Sequence, residues 1–380
     1  MQNHFDEIRP YHDEEVNAAI QNLVNDPEFI VFARYLLSGF NRMVFTKEME
    51  KINDIAGFQK NFVVRALDVV ISRSMKTLGC SGIEKLNKHT PYLFISNHRD
   101  IVLDSSFINL LLFRHGHATS QIAIGGNLLI SPMITNLVRI NKSFIVKRNL
   151  PARQMLEYSM LLSSYISYVI HERKESVWIA QRQGRAKDGN DKTQYGLLKM
   201  LVMHDEKNFR EVFFNLPIVP VALSYEYDPC DVLKAIELYH KDNKMDFVKT
   251  PAEDYKSMIK GILEYKGNVH VAFGNLLNSR AFDDKTAGIN DWLKNAASCI
   301  DRNIHCGYKL WKPNFIAYDV LNGKTGNKEL YSDSEREAFI KYISGKVKKE
   351  AAEYPEKEMI NIILAMYANP VKNQLALKGN

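Results

Sequence analysis

The spacing of apolar residues changes period twice along the chain. In the first part, Phe29, Val31, Phe32, Leu36, Leu37 and Phe40 recur at helix-like intervals, and Phe62, Val63, Leu67, Val70 and Ile71 repeat the pattern. Asp26-Pro27 before the first run is a helix start, because aspartate caps free N–H groups and proline lacks one to satisfy. Residues 1–78 are therefore expected to be a helical N-terminal region. Short apolar or β-branched runs then take over at residues 92–96, 121–124, 143–146, 177–180, 218–224 and 269–273. Longer helix-compatible stretches separate most of them, and this alternation predicts an α/β unit with helices flanking a sheet across residues 79–284. Beyond residue 285 the period is helical again. Ser332-Asp333-Ser334 opens one helix, and Pro355 followed by Met359, Ile362, Ile363 and Met366 marks another, giving a helical C-terminal region over 285–380.

Composition narrows the class without naming it. The 380 residues are 46% hydrophobic and 25% charged, as in an ordinary folded protein. Cys80, Cys230, Cys299 and Cys306 are too scattered for a disulfide framework or a zinc pattern, so reduced thiols in a cytoplasmic protein are expected. The polar, acidic start reads as no secretory signal, and no apolar run reaches the roughly 18 to 20 residues of a membrane span. A net charge of +6 lacks the dense basic stripe of a nucleic-acid binder, yet suits an anionic membrane face or an acidic carrier protein.

The chemistry concentrates in Asn97-His98-Arg99-Asp100-Ile101-Val102-Leu103-Asp104. His98 follows an apolar strand and precedes an apolar helix, and strand ends of open α/β sheets are where ligands bind. A helix starting near Arg99 or Asp100 would put Ile101, Asp104, Ile108 and Leu111 on one face. A carboxylate on an apolar face needs a partner, and His98 is the nearest candidate. The plainer alternative has Asp104 at a groove rim or paired with an arginine, with Asp100 capping the helix. Two further strand ends are basic. Residues 143–146 run into Lys147 and Arg148, suited to a phosphate. Residues 177–180 run into Gln181-Arg182-Gln183-Gly184-Arg185, where Gly184 would let the backbone approach a ligand.

Taken in order, these blocks resemble the glycerol-3-phosphate and 1-acylglycerol-3-phosphate acyltransferase family. Asn97-His98 through Asp104 is similar to its first block, residues 144–148 to its second, 178–185 to its third, and Pro217-Ile218-Val219-Pro220-Val221-Ala222 to its fourth. Gly82-Ile83-Glu84 and Phe273-Gly274 resemble its flanks, so the likeness covers about residues 80 to 280. It implies a mixed sheet flanked by helices and acyl transfer from a thioester, acyl-CoA or acyl carrier protein, to a hydroxyl of a glycerol phosphate or lysophospholipid. The implied acceptor is 1-acylglycerol-3-phosphate. His98 is the implied general base and Asp104 its orienting carboxylate, with Asp100 in reserve. Arg148 and the Gly184-Arg185 turn are implied phosphate contacts, with Arg99, Lys147, Arg182 and Gln183 beside them. No metal, cofactor or covalent enzyme intermediate is implied, and the protein is expected peripherally at the inner face of the cell membrane.

The sequence departs from the family at two points. Five residues rather than four separate His98 from Asp104, which requires His98 to lie in a loop before the helix or the extra residue to be absorbed by a bulge. Gln183 stands where the third block often carries glutamate. Acylation of another polar or amino-lipid acceptor, a non-catalytic lipid-binding role on the same fold, and a hydrolase using His98 with an unseen nucleophile all stay open. His115 and His117 beside Arg114 read as a solvated loop, and Asp188-Gly189-Asn190-Asp191 as a plain polar turn lacking the ligand spacing of a calcium loop.

Overall fold

A computed structural model describes residues 2–37, 39–148, 150–247, 250–278, 282, 286–323 and 326–378. Seven strands form one sheet: β1 (Met75–Ser81), β2 (Leu93–Ser96), β3 (Gln121–Gly125), β4 (Ser143–Val146), β5 (Val177–Ala180), β6 (Ile218–Tyr225) and β7 (Gly267–Phe273). Their order is β1-β7-β6-β2-β5-β3-β4. β2 to β6 run parallel, whereas β7 is antiparallel to β6 and β1 is parallel to β7. The sheet is thus mixed, as expected.

β1 is the strand the sequence pattern did not give. It begins at Met75, inside the expected helical region, and its glycine, cysteine and charged positions lack an apolar run. Its place comes instead from pairing with β7. At its end Gly82 has φ +80°, and a Cβ there would lie 2.0 Å from the Phe273 carbonyl oxygen. The two glycine-bearing flanks of the sequence therefore meet in space.

The strands alternate their side chains between two cores, as period 2 requires. Leu93, Ile95, Val177 and Ile179 face the helices Ala152–His171 and Ile289–Gly307. Phe94, Trp178, Val219 and Val221 face Val64–Ser74 and Leu103–Arg114. Both faces of β2 are covered, so its apolar run is continuous. The N-terminal helices close a separate cluster around Phe29, Phe45, Phe58 and Phe62, into which Met133 and Ile140 also pack. The C-terminal helices form another with Val232 and Ala235.

Candidate active site

β2 ends at the middle of the sheet, between β5 and β6, and delivers Asn97 and His98 there. Asn97 is fully buried and fastens the loop to β6: its side-chain oxygen accepts from Leu223 N at 2.7 Å, and its amide donates to Leu223 O at 2.9 Å. The helix then begins at Leu103, not near residue 100 as the pattern suggested. Residues 98–102 form a loop wrapped around two carboxylates, and that loop absorbs the extra residue between His98 and Asp104.

Asp104 is the partner of His98. His98 Nδ1 lies 2.8 Å from Asp104 Oδ2, and the same oxygen accepts from the backbone N–H groups of Arg99 at 2.6 Å and Asp100 at 3.0 Å. Asp104 Oδ1 accepts from the Tyr225 hydroxyl at 2.8 Å. Four donors satisfy a carboxylate with no exposed surface, which offsets its burial. Burial, reinforced by Asp104, pushes the Tyr225 hydroxyl well above its ordinary pKa, so it remains a donor. The imidazole keeps 13% exposure and stands edge-on to the Trp178 ring, with centroids 6.0 Å apart. With Nδ1–H donated to Asp104, the proton-accepting lone pair is fixed on Nε2.

Asp100 has a different task. Its Oδ1 accepts from Val102 N at 2.9 Å and Leu103 N at 2.8 Å, so it caps the helix and does not orient the imidazole. Its other oxygen packs against Gly261, where a Cβ would lie 2.0 Å away.

The basic residues separate in the same way. Arg99, expected to bind substrate, is buried: it pairs with Asp191 Oδ2 at 2.6 Å and stacks over Tyr308. Burial opposes its charge, but Asp191 and its acidic neighbours outweigh that and raise its pKa. Asp191 is thus an interior ion-pair partner and not part of a plain polar turn. Lys147 turns to the surface and pairs with Glu7 at 2.6 Å. Arg185 is only 4% exposed, beneath the site in the field of Cys230 and Asp100, and neither terminal nitrogen has a hydrogen-bond acceptor among the described residues. Gln183 is exposed, and among the described residues its one hydrogen bond runs from its backbone N–H to the Gln194 side-chain oxygen at 2.8 Å. Arg182 is half-buried.

Arg148 and Gly184, also expected at the acceptor's phosphate, are placed differently. Arg148 folds back over the end of β3 against Gly125, where a Cβ would lie 2.8 Å from its guanidinium carbon. Among the described residues it takes no hydrogen-bond acceptor. Burial lowers its pKa, with Asp254 acting against that through space. Gly184 has φ +71° with open space at its Cβ position. Two residues on, Ala186 N donates to the His98 carbonyl at 2.9 Å, tying this turn to the histidine loop.

A cavity of about 470 Å³ lies near the opposite ends of β3, β4 and β5, around Thr119, Lys142 and Glu175. Its main cations are already paired, Arg9 with Glu15 and both Lys142 and Arg173 with Glu175, so it does not compete with the His98 site.

Residues 77–224 match the family model described as Acyltransferase. Over these residues the chain is similar to the acyltransferase family. Among curated proteins, it is 26% identical over 207 residues to the dihydroxyacetone phosphate acyltransferase of Bos taurus, and 24% identical over 207 residues to that of Homo sapiens. Each match covers 53% of this chain but 28% of the relative, so the chain spans under a third of those proteins. A solved 1-acyl-sn-glycerophosphate (LPA) acyltransferase from Thermotoga maritima is 12% identical, covering 77% of this chain and 96% of that one. Its TM-score of 0.35 is too low for comparing sites.

Within the acyltransferase domain, sequence reasoning missed Asn97 as a backbone clamp, Tyr225 as the second support of Asp104, and Asp191 as the partner of Arg99. For Tyr225 a signal existed: a polar group at the end of the apolar run 218–224 implies a buried partner. For Asp191 none did, since its partners Asn97, Arg99 and His305 lie far away in sequence, while helix Glu356–Lys378 packs on the neighbouring Gly189. There Pro370 leaves the carbonyl of Met366 without its helical donor, and Gly189 (φ +71°) packs against that oxygen.

Proposed function

We propose that this protein transfers a fatty acyl group from a thioester donor, acyl-CoA or acyl carrier protein, to a hydroxyl of a phosphate-bearing glycerol acceptor. His98 acts as general base. The observation carrying this reading is the His98–Asp104 pair at 2.8 Å, at the end of the central strand β2. His98 Nε2 takes the proton of the acceptor hydroxyl as its oxygen attacks the thioester carbonyl. Asp104 steadies the imidazolium that forms, and the thiol leaves on collapse of the tetrahedral intermediate. The protonated histidine returns its proton to the departing thiolate, so no covalent enzyme intermediate is needed.

Arg148 is suited to the acceptor's phosphate. Its guanidinium lies near the end of β3, two strand spacings or roughly 10 Å from β2. A three-carbon glycerol phosphate spans much of that distance once the arginine reaches inward. The first acceptor to try is 1-acylglycerol-3-phosphate, at the inner face of the cell membrane. The named activity of the mammalian relatives favours a second, dihydroxyacetone phosphate.

The test is product analysis by thin-layer chromatography with labelled acyl-CoA or acyl carrier protein. Lysophosphatidate, glycerol 3-phosphate, dihydroxyacetone phosphate and an amino-lipid are offered in parallel. Labelled ester on a phosphate acceptor supports the reading. Free fatty acid alone, or label only on the amino-lipid, overturns it.

A further inference from the structure

Lys234 has no exposed surface, and it lies beyond residues 77–224, which match the family model. It sits in the first turn of helix Asp231–Asp242. Its ammonium donates to Asp228 Oδ2 and, at 2.8 Å, to the carbonyl oxygen of Arg99. Burial would raise the Asp228 carboxyl, but Lys234 outweighs it and holds Asp228 below its ordinary pKa, so Asp228 is an anion. Apolar side chains would stabilise such an interior about as well as a buried ion pair does. What the ammonium adds is a grip on the loop that carries His98.

The Arg99 carbonyl and the Asp100 N–H belong to one planar peptide unit and point in opposite directions. That N–H donates to Asp104 Oδ2 at 3.0 Å, the oxygen that meets His98 Nδ1 at 2.8 Å. Lys234 therefore holds one side of the peptide and Asp104 the other. Turning the peptide would break both contacts, and an ammonium on the carbonyl strengthens the N–H as a donor. The Arg99 side chain does not supply this grip, because it runs to Asp191 and Tyr308. The C-terminal helices in turn seat Lys234. The Tyr367 hydroxyl, on helix Glu356–Lys378, accepts from Asp228 N at 2.8 Å and donates to Asp231 Oδ2 at 3.2 Å. Lys346 pairs with the other oxygen of Asp231, and Cys230 N donates to Asp228 Oδ1 at 2.9 Å.

We infer that Lys234 is a positioning residue for acyl transfer: through the peptide between Arg99 and Asp100 it holds Asp104, and through Asp104 the His98 imidazole, in line for proton abstraction. The inference rests on the reading of His98 as general base. It extends that reading to the C-terminal helical region, which seats Lys234. Because the effect passes through Asp104, it belongs to turnover and not to substrate binding.

The test measures kcat and KM, with a melting curve on each sample, for Lys234→Met and for Lys234→Met combined with Asp228→Asn. The double variant strands no unpaired carboxylate in the interior, and an asparagine there can still accept from Cys230 N. In both, kcat is expected to fall about 10- to 100-fold with acceptor KM little changed, the cost of a catalytic group out of line. Lys234→Met is then repeated in His98→Ala. With no imidazole left to position, it should lower the residual rate less than about twofold. A folded double variant with wild-type kcat would overturn the inference, and so would a rise in KM without loss of kcat. So would a loss of the same size in the His98→Ala background, since a general weakening of the fold adds to any other change. His98→Ala at the wild-type rate would refute the general-base reading and the inference with it. Wild-type rates in the Lys234 variants alone would leave that reading standing and remove only the inference.

Discussion

Replacing Asp104 by asparagine separates charge from shape at the centre of the site. Its Oδ2 faces three donors, the His98 ring and the N–H groups of Arg99 and Asp100, whereas Oδ1 faces only the Tyr225 hydroxyl. An asparagine amide therefore puts its oxygen where Oδ2 stood. Its NH2 group then faces Tyr225, whose hydroxyl can turn to accept. Three of the four hydrogen bonds survive, the fourth reverses, and His98 keeps its tautomer. What is lost is the negative charge beside an imidazolium in the transition state. For charges roughly 4 Å apart at an effective dielectric constant of about 20, that attraction is about 4 kcal/mol, or about 10³-fold in rate. The pair has too little exposure for solvent to screen it. The assay is thiol release from acyl-CoA at varied acceptor, with kcat and KM resolved and a melting curve on the same sample. A fall of about 10³ in kcat with KM and folding retained is expected. If the folded variant works within tenfold of wild type, the imidazolium is not stabilised by Asp104 and the assigned mechanism fails.

The remaining predictions follow from individual contacts. Asp100→Asn should keep its helix cap and remain within about tenfold of wild-type kcat, since Asp100 does not touch the imidazole; a 10³-fold loss would make it the orienting carboxylate after all. Gly125→Ala puts a Cβ where the Arg148 guanidinium lies and should raise KM for a phosphate acceptor more than it lowers kcat, whereas an unchanged KM would remove Arg148 from the acceptor site. Gly189→Ala forces a left-handed alanine against the Met366 carbonyl; a cost of about 1–3 kcal/mol should appear as a lower melting temperature. Burial lowers the Lys266 ammonium to about 8, from an ordinary 10.5. Between those values only the unfolded chain holds the proton, so wild type should gain stability relative to Lys266→Met as pH rises from 8 to 10.5. The gain is about 3 kcal/mol at most, and a pH-independent difference would refute it.

The expected strands β2 to β7 were legible because each pairs an apolar run with a covered position in the sheet. β1 was not, since its residues make sense only beside β7. The order of blocks along the chain pointed to His98, Arg148 and Gly184. The spacing from His98 to Asp104 was ambiguous because periodicity cannot show where a helix starts. Asp100 and Asp104 hold that start between them, one capping Val102 and Leu103 and the other gathering the N–H groups of Arg99 and Asp100. Charge misled where burial was unseen. Arg99 and Arg185 were expected at the substrate, yet both are buried. Asp191 looked like a turn residue, yet Asn97, Arg99 and His305 gather around it from distant parts of the chain.

Acyl transfer by His98→Ala, beside wild type at saturating acyl donor and lysophosphatidate, tests the role of His98 most directly. Equal melting temperatures would show that both proteins are folded. General-base catalysis predicts a loss of about 10²- to 10⁴-fold in kcat with acceptor KM little changed. Labelled phosphatidate made by the variant at the wild-type rate would contradict it.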